Sequence, residues 1–361
     1  MPHLPDSFPN RPGLTRRQIG GLCLGLPALT ARPAQAARGI TIAGIDGWFQ
    51  TAFDSIVLAA FRKAHPEIPV FYYPVGNPFQ TLALLRSQRQ YPTADVVLLE
   101  AGVATAATAE NLLEPLQPAT MPVIDDLSDR AKLPNVAGPA VFFDSLAMCY
   151  NTADIKQPPK FWRNLWDPTY GRRIALPTPP DAIALAMTAV AGKLFGGGEP
   201  LRSLELGLVA LAQLAPQVVL WDPVPDVYTA VALGDASIGP GWNARAQNQM
   251  SLTPGRFAAT IPEGGSPVMV MTVNLVKNAQ QATPARTLIS WLLGPEAQRL
   301  LAEGMFYAPV NPKADLSAAT LVRVGATPGM VAKRMDMDWV VVDAIRDQIT
   351  REWRRRNLKG H

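Results

Sequence analysis

Side chains able to make or break bonds are scarce in this 361-residue chain, and those present are scattered. The histidines His3, His65 and His361 lie far apart, and the two cysteines, Cys23 and Cys149, form no CxxC pair. Neither type clusters at metal-ligand spacing, so no metal and no cofactor is expected. The sequence also lacks GxSxG, GxxxxGK[ST] and GxGxxG. Those patterns serve a nucleophilic serine, a nucleotide phosphate and a dinucleotide. Catalysis is therefore not the expected chemistry, although carboxylates are plentiful enough to keep an enzyme as an alternative. What the chain offers is recognition: carboxylates, amides and aromatics set in loops directly after apolar runs. Asp46 and Trp48 follow the run that starts at Ile40. Asn77 precedes a helical stretch, where free N–H groups suit an anion. Glu100 ends the run Asp95 to Leu99, and Asp181 opens a second helical stretch. Trp221, Asp222 and Tyr228 extend the set. Two of these have a structural alternative: Asp181 is well placed as an N-cap, and Trp48 could pack in a core.

The elements that must hold these residues alternate. Ile40-Thr41-Ile42 reads as a strand, Phe53, Ile56, Val57, Ala60 and Phe61 recur at helical spacing, and Ile68 to Tyr73 reads as a second strand. Phe79 to Leu85 reads as helix, and the continuous apolar run to Leu99 as a buried parallel strand. Strand–helix alternation of this kind predicts an α/β sheet with right-handed crossovers. Val141 to Tyr150 and Met269 to Val276 read as extended chain crossing between two lobes. Loops at strand C-termini are where open α/β sheets bind ligands. With 48% hydrophobic and 17% charged residues, the chain has ample apolar content for about two domains.

Residues 1–36 read as an export signal. Thr15-Arg16-Arg17-Gln18-Ile19 resembles the twin-arginine motif of bacterial Tat substrates. An apolar stretch to Ala31, too short to span a bilayer, and the small-x-small site Ala34-Gln35-Ala36 follow it. The expected location is the periplasm. The formal net charge of +4 falls to about +1 once a leader with four arginines and one aspartate is removed. The basic tail Arg351 to Lys359 reads as the solvated end of a helix, not as a nucleic-acid site.

Several segments, in order, resemble bacterial extracellular solute-binding proteins of ABC importers. They are Asp95-Val96-Val97, Tyr150-Asn151, Phe161-Trp162 with Leu165 to Arg172, and Leu233-Gly234-Asp235-Ala236. Gly241-Trp242-Asn243-Ala244-Arg245-Ala246, Ile261 to Gly265 and Pro309-Val310-Asn311 complete the series. The likeness runs over roughly residues 40–320 and is nearest to the spermidine/putrescine-binding-like branch. It implies a type II periplasmic-binding-protein fold: two α/β lobes joined by crossing hinge strands. The lobes are expected at 37–140 with 277–361, and at 141–276. The resemblance adds Trp242, Asn243, Arg245 and Thr272 to the expected ligand contacts, with a cap role open for Asn243 and a salt bridge open for Arg245. Thr272 stands where polyamine binders of this branch carry a carboxylate, and the acid after the second-lobe strand is displaced to Asp181. A smaller amine, an amino-acid derivative or an opine-like solute is therefore expected. The implied partners are that solute, an ABC permease and its ATPase, with the binding protein a monomer. A ligand sensor is the alternative on the same sequence.

Overall fold

The β-branched run at the start of the described chain forms β1 (Ile40–Ile45), and the next apolar runs form β2 (Val70–Val75) and β3 (Val96–Glu100). Between β1 and β2 lie α1 (Trp48–Ala52) and α2 (Ala59–Ala64), joined by a π-helical stretch Phe53–Leu58. Gly47 enters α1 at φ 69°, a backbone setting that a side chain resists. Helix α3 (Pro78–Ser87) has Asn77 as N-cap, its side chain accepting from the Gln80 N–H, and proline at the first turn. Helix α4 (Ala101–Ala109) follows β3 directly, and the short β4 (Leu113–Glu114) comes next.

The twelve-residue β5 (Ala140–Asn151) is buried along its whole length. Beyond it come β6 (Ile174–Leu176), α5 (Ala182–Phe195), α6 (Leu204–Leu214), β7 (Val218–Trp221), α7 (Val227–Leu233) and β8 (Ile238–Trp242). Then follow α8 (Asn243–Leu252), β9 (Phe257–Thr260) and β10 (Val268–Val276). Helices α9 (Ala282–Leu293), α10 (Pro295–Met305), α11 (Ala318–Arg323), α12 (Pro328–Ala332), α13 (Trp339–Ala344) and α14 (Arg346–Arg355) close the chain. This computed structural model describes residues 39–169, 173–196, 204–335 and 337–356. The expected leader 1–36, residues 170–172 of the resembling segment and Lys359 lie outside the described residues.

The main path of strands is β2-β1-β3-β10-β5-β8-β6-β7, with β4 beside β10 and β9 beside β5. Parallel pairing of β1 with β2 and β3, and of β6 with β7 and β8, gives two α/β halves. They meet on β5. Its residues up to Ser145 pair with β10, and from Leu146 onward it pairs with β8 and β9. One strand thus carries the chain from one half to the other. The expected return strand does not cross: β10 starts at the junction opposite Ser145 and pairs only with β3, β4 and the first half of β5. Each half has its own core. One gathers Phe49, Phe53, Phe61, Phe142 and Leu292; the other gathers Met148, Trp162, Leu176, Leu185 and Trp353. Burial of such side chains contributes roughly 1.5–3 kcal/mol each.

The C-terminal helices depart from the expected division. Residues 277–361 are expected in the first lobe, yet Met335, Trp339, Val342, Ile349 and Trp353 pack into the second core. Trp353 donates its indole N–H to Thr188 Oγ1 at 3.0 Å, and Trp221 meets it edge-on at 6.2 Å. The same segment also leans on the first lobe. A Cβ added to Gly102, in the first turn of α4, would collide with Asp343 and with the Trp339 carbonyl. The segment from α13 to α14 therefore lies across both lobes.

Candidate functional site

Three helix starts face one cleft because each follows the C-terminal end of a parallel strand. The cleft encloses about 870 Å³. Asn77, Phe79 and Glu100 line it from the first lobe, and Thr178, Pro180, Asp181 and Asp222 from the second. Arg346 and Arg354 line it from α14. A second chamber of about 420 Å³ shares Asp181 and Asp222 and adds Asp226, Tyr228, Trp242 and Arg245. Of the expected ligand contacts, the structure brings together Asn77, Glu100, Asp181, Tyr228, Trp242 and Arg245 around these two spaces.

The acidic groups are held in distinct ways. Glu100 is the N-cap residue of α4 but makes no side-chain cap bond, which leaves its carboxyl to the cleft. Burial, followed by the charge of Asp343, pushes that carboxyl up to about 7; Arg346 pulls it down and Asp181 adds to the rise. The Asp181 carboxylate accepts from the Ile183 N–H at 2.7 Å and so caps α5, as the alternative reading held. Water reaches it, but protein mass around it still raises its pKa. Desolvation is the largest cause, and the N–H groups of Ile183 and Ala184 oppose it. Asp222 follows β7 at φ 48°, an unusual setting for a residue with a side chain. It accepts from the Thr178 N–H at 2.6 Å and from Thr178 Oγ1 at 2.8 Å, tying together the two second-lobe loops.

The cations differ in their freedom. Arg346 donates to the Pro180 carbonyl at 3.2 Å and to Asp343 Oδ1 at 2.5 Å, and its guanidinium lies 4.3 Å from the centre of the Phe79 ring. That geometry is a cation–π contact reinforced by an ion pair. Arg245 pairs with Asp226 at 3.2 Å and lies 5.8 Å from the Trp48 ring and 5.9 Å from the Tyr228 ring. The salt-bridge alternative for Arg245 is therefore present, and Trp48 closes over it from the first lobe. Trp48 also rests on Tyr307, with ring centres 6.4 Å apart. The Tyr228 hydroxyl accepts from the Trp242 N–H at 2.7 Å, and burial pushes its pKa well up, so it acts as a neutral support.

Four expected contacts are placed elsewhere. Thr272 is fully buried, donates to the Leu99 carbonyl at 2.8 Å and accepts from Asn274. The reason is that β10 is a central strand with α4 and α9 packed against it, so its side chains are covered. Asn243 is buried and donates to the Arg323 carbonyl while accepting from Gln247, a structural task that ties α8 to α11. Trp221 packs against Trp353. Asp46 is exposed and lines neither chamber. Sequence reasoning missed Phe79, Asp226, Arg346 and Arg354. The two α14 arginines stand eight residues apart on one half of a helix whose Ile349 and Trp353 are buried, and that pattern was the available signal.

A family model described as bacterial extracellular solute-binding protein matches residues 57–325. A relative from Salmonella typhimurium, named provisionally as a 2-aminoethylphosphonate-binding periplasmic protein, is 27% identical over 305 residues. The alignment covers 80% of this chain and 83% of that protein. Among solved structures, the Agrobacterium tumefaciens B6 periplasmic binding protein MotA in complex with glucopine superposes with TM-score 0.69 at 19% identity. That match covers 88% of this chain and 99% of MotA. PotD, a spermidine/putrescine ABC transporter substrate-binding protein from Streptococcus pneumoniae, superposes with TM-score 0.72 at 16% identity, covering 88% and 99%. At those identities the structures establish a shared fold, that of type II periplasmic binding proteins. Among the described residues, no helix is long and apolar enough to cross a membrane.

Proposed function

Because this chain belongs to the bacterial extracellular solute-binding protein family, we propose that it is the periplasmic substrate-binding subunit of an ABC importer for a small solute carrying a primary ammonium. The observation that carries this reading is the acidic wall of the cleft: Glu100, Asp181 and Asp222 line one space with Asn77 and the Phe79 ring. Two cations share the space: Arg346 is engaged by Asp343, and Arg354 alone stands against the three carboxyl groups, so the wall retains excess negative charge. An ammonium that leaves water needs carboxylate acceptors in compensation, and a charge-assisted bond of this kind is worth about twice a neutral one. The 2-aminoethylphosphonate named for the Salmonella relatives is one such amine, and opines and polyamines are named for fold neighbours. The volume is that of a drug-sized ligand pocket, and nothing in the cleft requires chemistry on the solute.

In this reading the protein is exported by the twin-arginine route and acts as a monomer. Hinge motion at the midpoint of β5 brings the lobes together on the solute, and the closed form is the one the permease and ATPase receive. Solute affinity and closure are then linked, since a ligand shifts only the equilibrium it binds unequally. A thermal-shift panel tests the proposal, with 2-aminoethylphosphonate, 4-aminobutyrate, ethanolamine, spermidine and an opine as amines and phosphate as the amine-free control. The expected result is at least one amine that stabilises the mature protein and is recovered unchanged. At about 100 times its Kd it adds roughly 2.7 kcal/mol. Stabilisation by phosphate alone contradicts the proposal, and consumption of the amine favours an enzyme.

A further inference from the structure

The family match ends at residue 325, yet two cleft arginines come from α14, more than twenty residues beyond it. We infer that α14 completes the solute site: Arg354 binds an anionic group of the solute, with Arg346 as its fixed neighbour, so the cleft selects a small zwitterion over a simple amine. This inference rests on the ammonium reading of the cleft.

The two arginines are prepared for different tasks. Arg346 is occupied on three sides, by the Pro180 carbonyl, Asp343 and the Phe79 ring. It is a positioning group that sets the end of α14 against both lobes. Arg354 lines the same cleft, is exposed, and enters no ion pair among the described residues. Its neighbours Arg355 and Arg356 are taken, by Glu352 and by Glu205 and Glu352. The backbone beneath Arg354 is fixed, because Trp353 is buried in the second core and bonded to Thr188. A guanidinium rising from a fixed backbone position presents paired donors that match a carboxylate or phosphonate, and its planar fork loses less freedom per hydrogen bond than an ammonium. The acidic wall and the free cation thus share one space, and a solute with one charge of each sign satisfies both.

Calorimetric titration with matched ligands tests this. The pairs are 2-aminoethylphosphonate with ethanolamine, and 4-aminobutyrate with 4-aminobutanol; within each pair the ammonium is constant and the anion becomes a hydroxyl. Wild-type protein is expected to bind the zwitterion of at least one pair about tenfold or more tightly than its alcohol. Arg354→Gln is expected to remove that preference by weakening the zwitterion and sparing the alcohol. Arg355→Gln, on the same helix but outside the cleft, serves as the control and leaves the preference intact. Equal binding within each pair by wild-type protein, or equal weakening of both members in Arg354→Gln, overturns the inference and leaves the cleft reading standing. A protein that binds spermidine and neither pair does the same. A protein that binds no amine at all overturns both.

Discussion

Glu100 keeps its proton up to about pH 7, where an exposed glutamate would have released it, because burial and the charge of Asp343 outweigh Arg346. Its value of about 7 lies above that of the unfolded chain, so the sign is fixed. The stability this group supports is complete at pH below the ordinary glutamate range and is lost as pH rises through 7. Glu100→Gln should therefore be more stable than wild type at pH 8, by on the order of 1–3 kcal/mol after screening by cleft water. The gap should close near pH 4, as urea unfolding at the two pH values will read. The same group sets a pH dependence of binding. If an ammonium meets Glu100, affinity should rise about tenfold between pH 6 and pH 8 as the carboxyl ionises, and Glu100→Gln should flatten that rise. A flat profile in wild-type protein would show that the solute does not use Glu100. At this scale the sequence was informative where a loop follows a parallel strand, as at Asn77, Glu100 and Asp181. It misled at Thr272, because the match to a branch motif says nothing of which face of a doubly paired strand a residue occupies. It also could not separate a cap from a contact: Asp181 caps α5 and lines the cleft at once.

At the scale of elements, the strand–helix alternation and the crossing strand β5 were legible, since buried parallel strands and amphipathic helices leave different periodicities. The path of the last two helices was not. Arg346 reaches the Pro180 carbonyl, a residue 166 positions earlier, and no local pattern encodes such a contact. The stripe of Ile349 and Trp353 announces a buried face without naming its partner. Trp353→Ala should destabilise the protein by about 3–5 kcal/mol, the usual range for removing a buried tryptophan, and should weaken amine binding by releasing Arg346 and Arg354 from the cleft. Urea unfolding and calorimetry on the same variant read both effects. Gly102→Ala tests the other anchorage of this segment. A methyl there meets Asp343 and the Trp339 carbonyl, so α13 must shift and stability should fall by about 1–3 kcal/mol. An unchanged unfolding midpoint would mean that α13 is held by the second core alone.

For the whole molecule, two cores meet on the single strand β5. The cleft opens between them, with α14 fastened to the second core and touching the first lobe through the Phe79 ring. In the proposed function its charge pattern decides what enters, and its closure would convert binding into a shape that a membrane partner can read. The most direct test of this account is a crystal structure of the mature protein grown with 2-aminoethylphosphonate. The account predicts the ligand in the interlobe cleft, its nitrogen about 3 Å from a carboxylate oxygen of Glu100, Asp181 or Asp222. A ligand seated elsewhere on the surface, or held in the cleft with its nitrogen turned away from all three carboxylates, would contradict it.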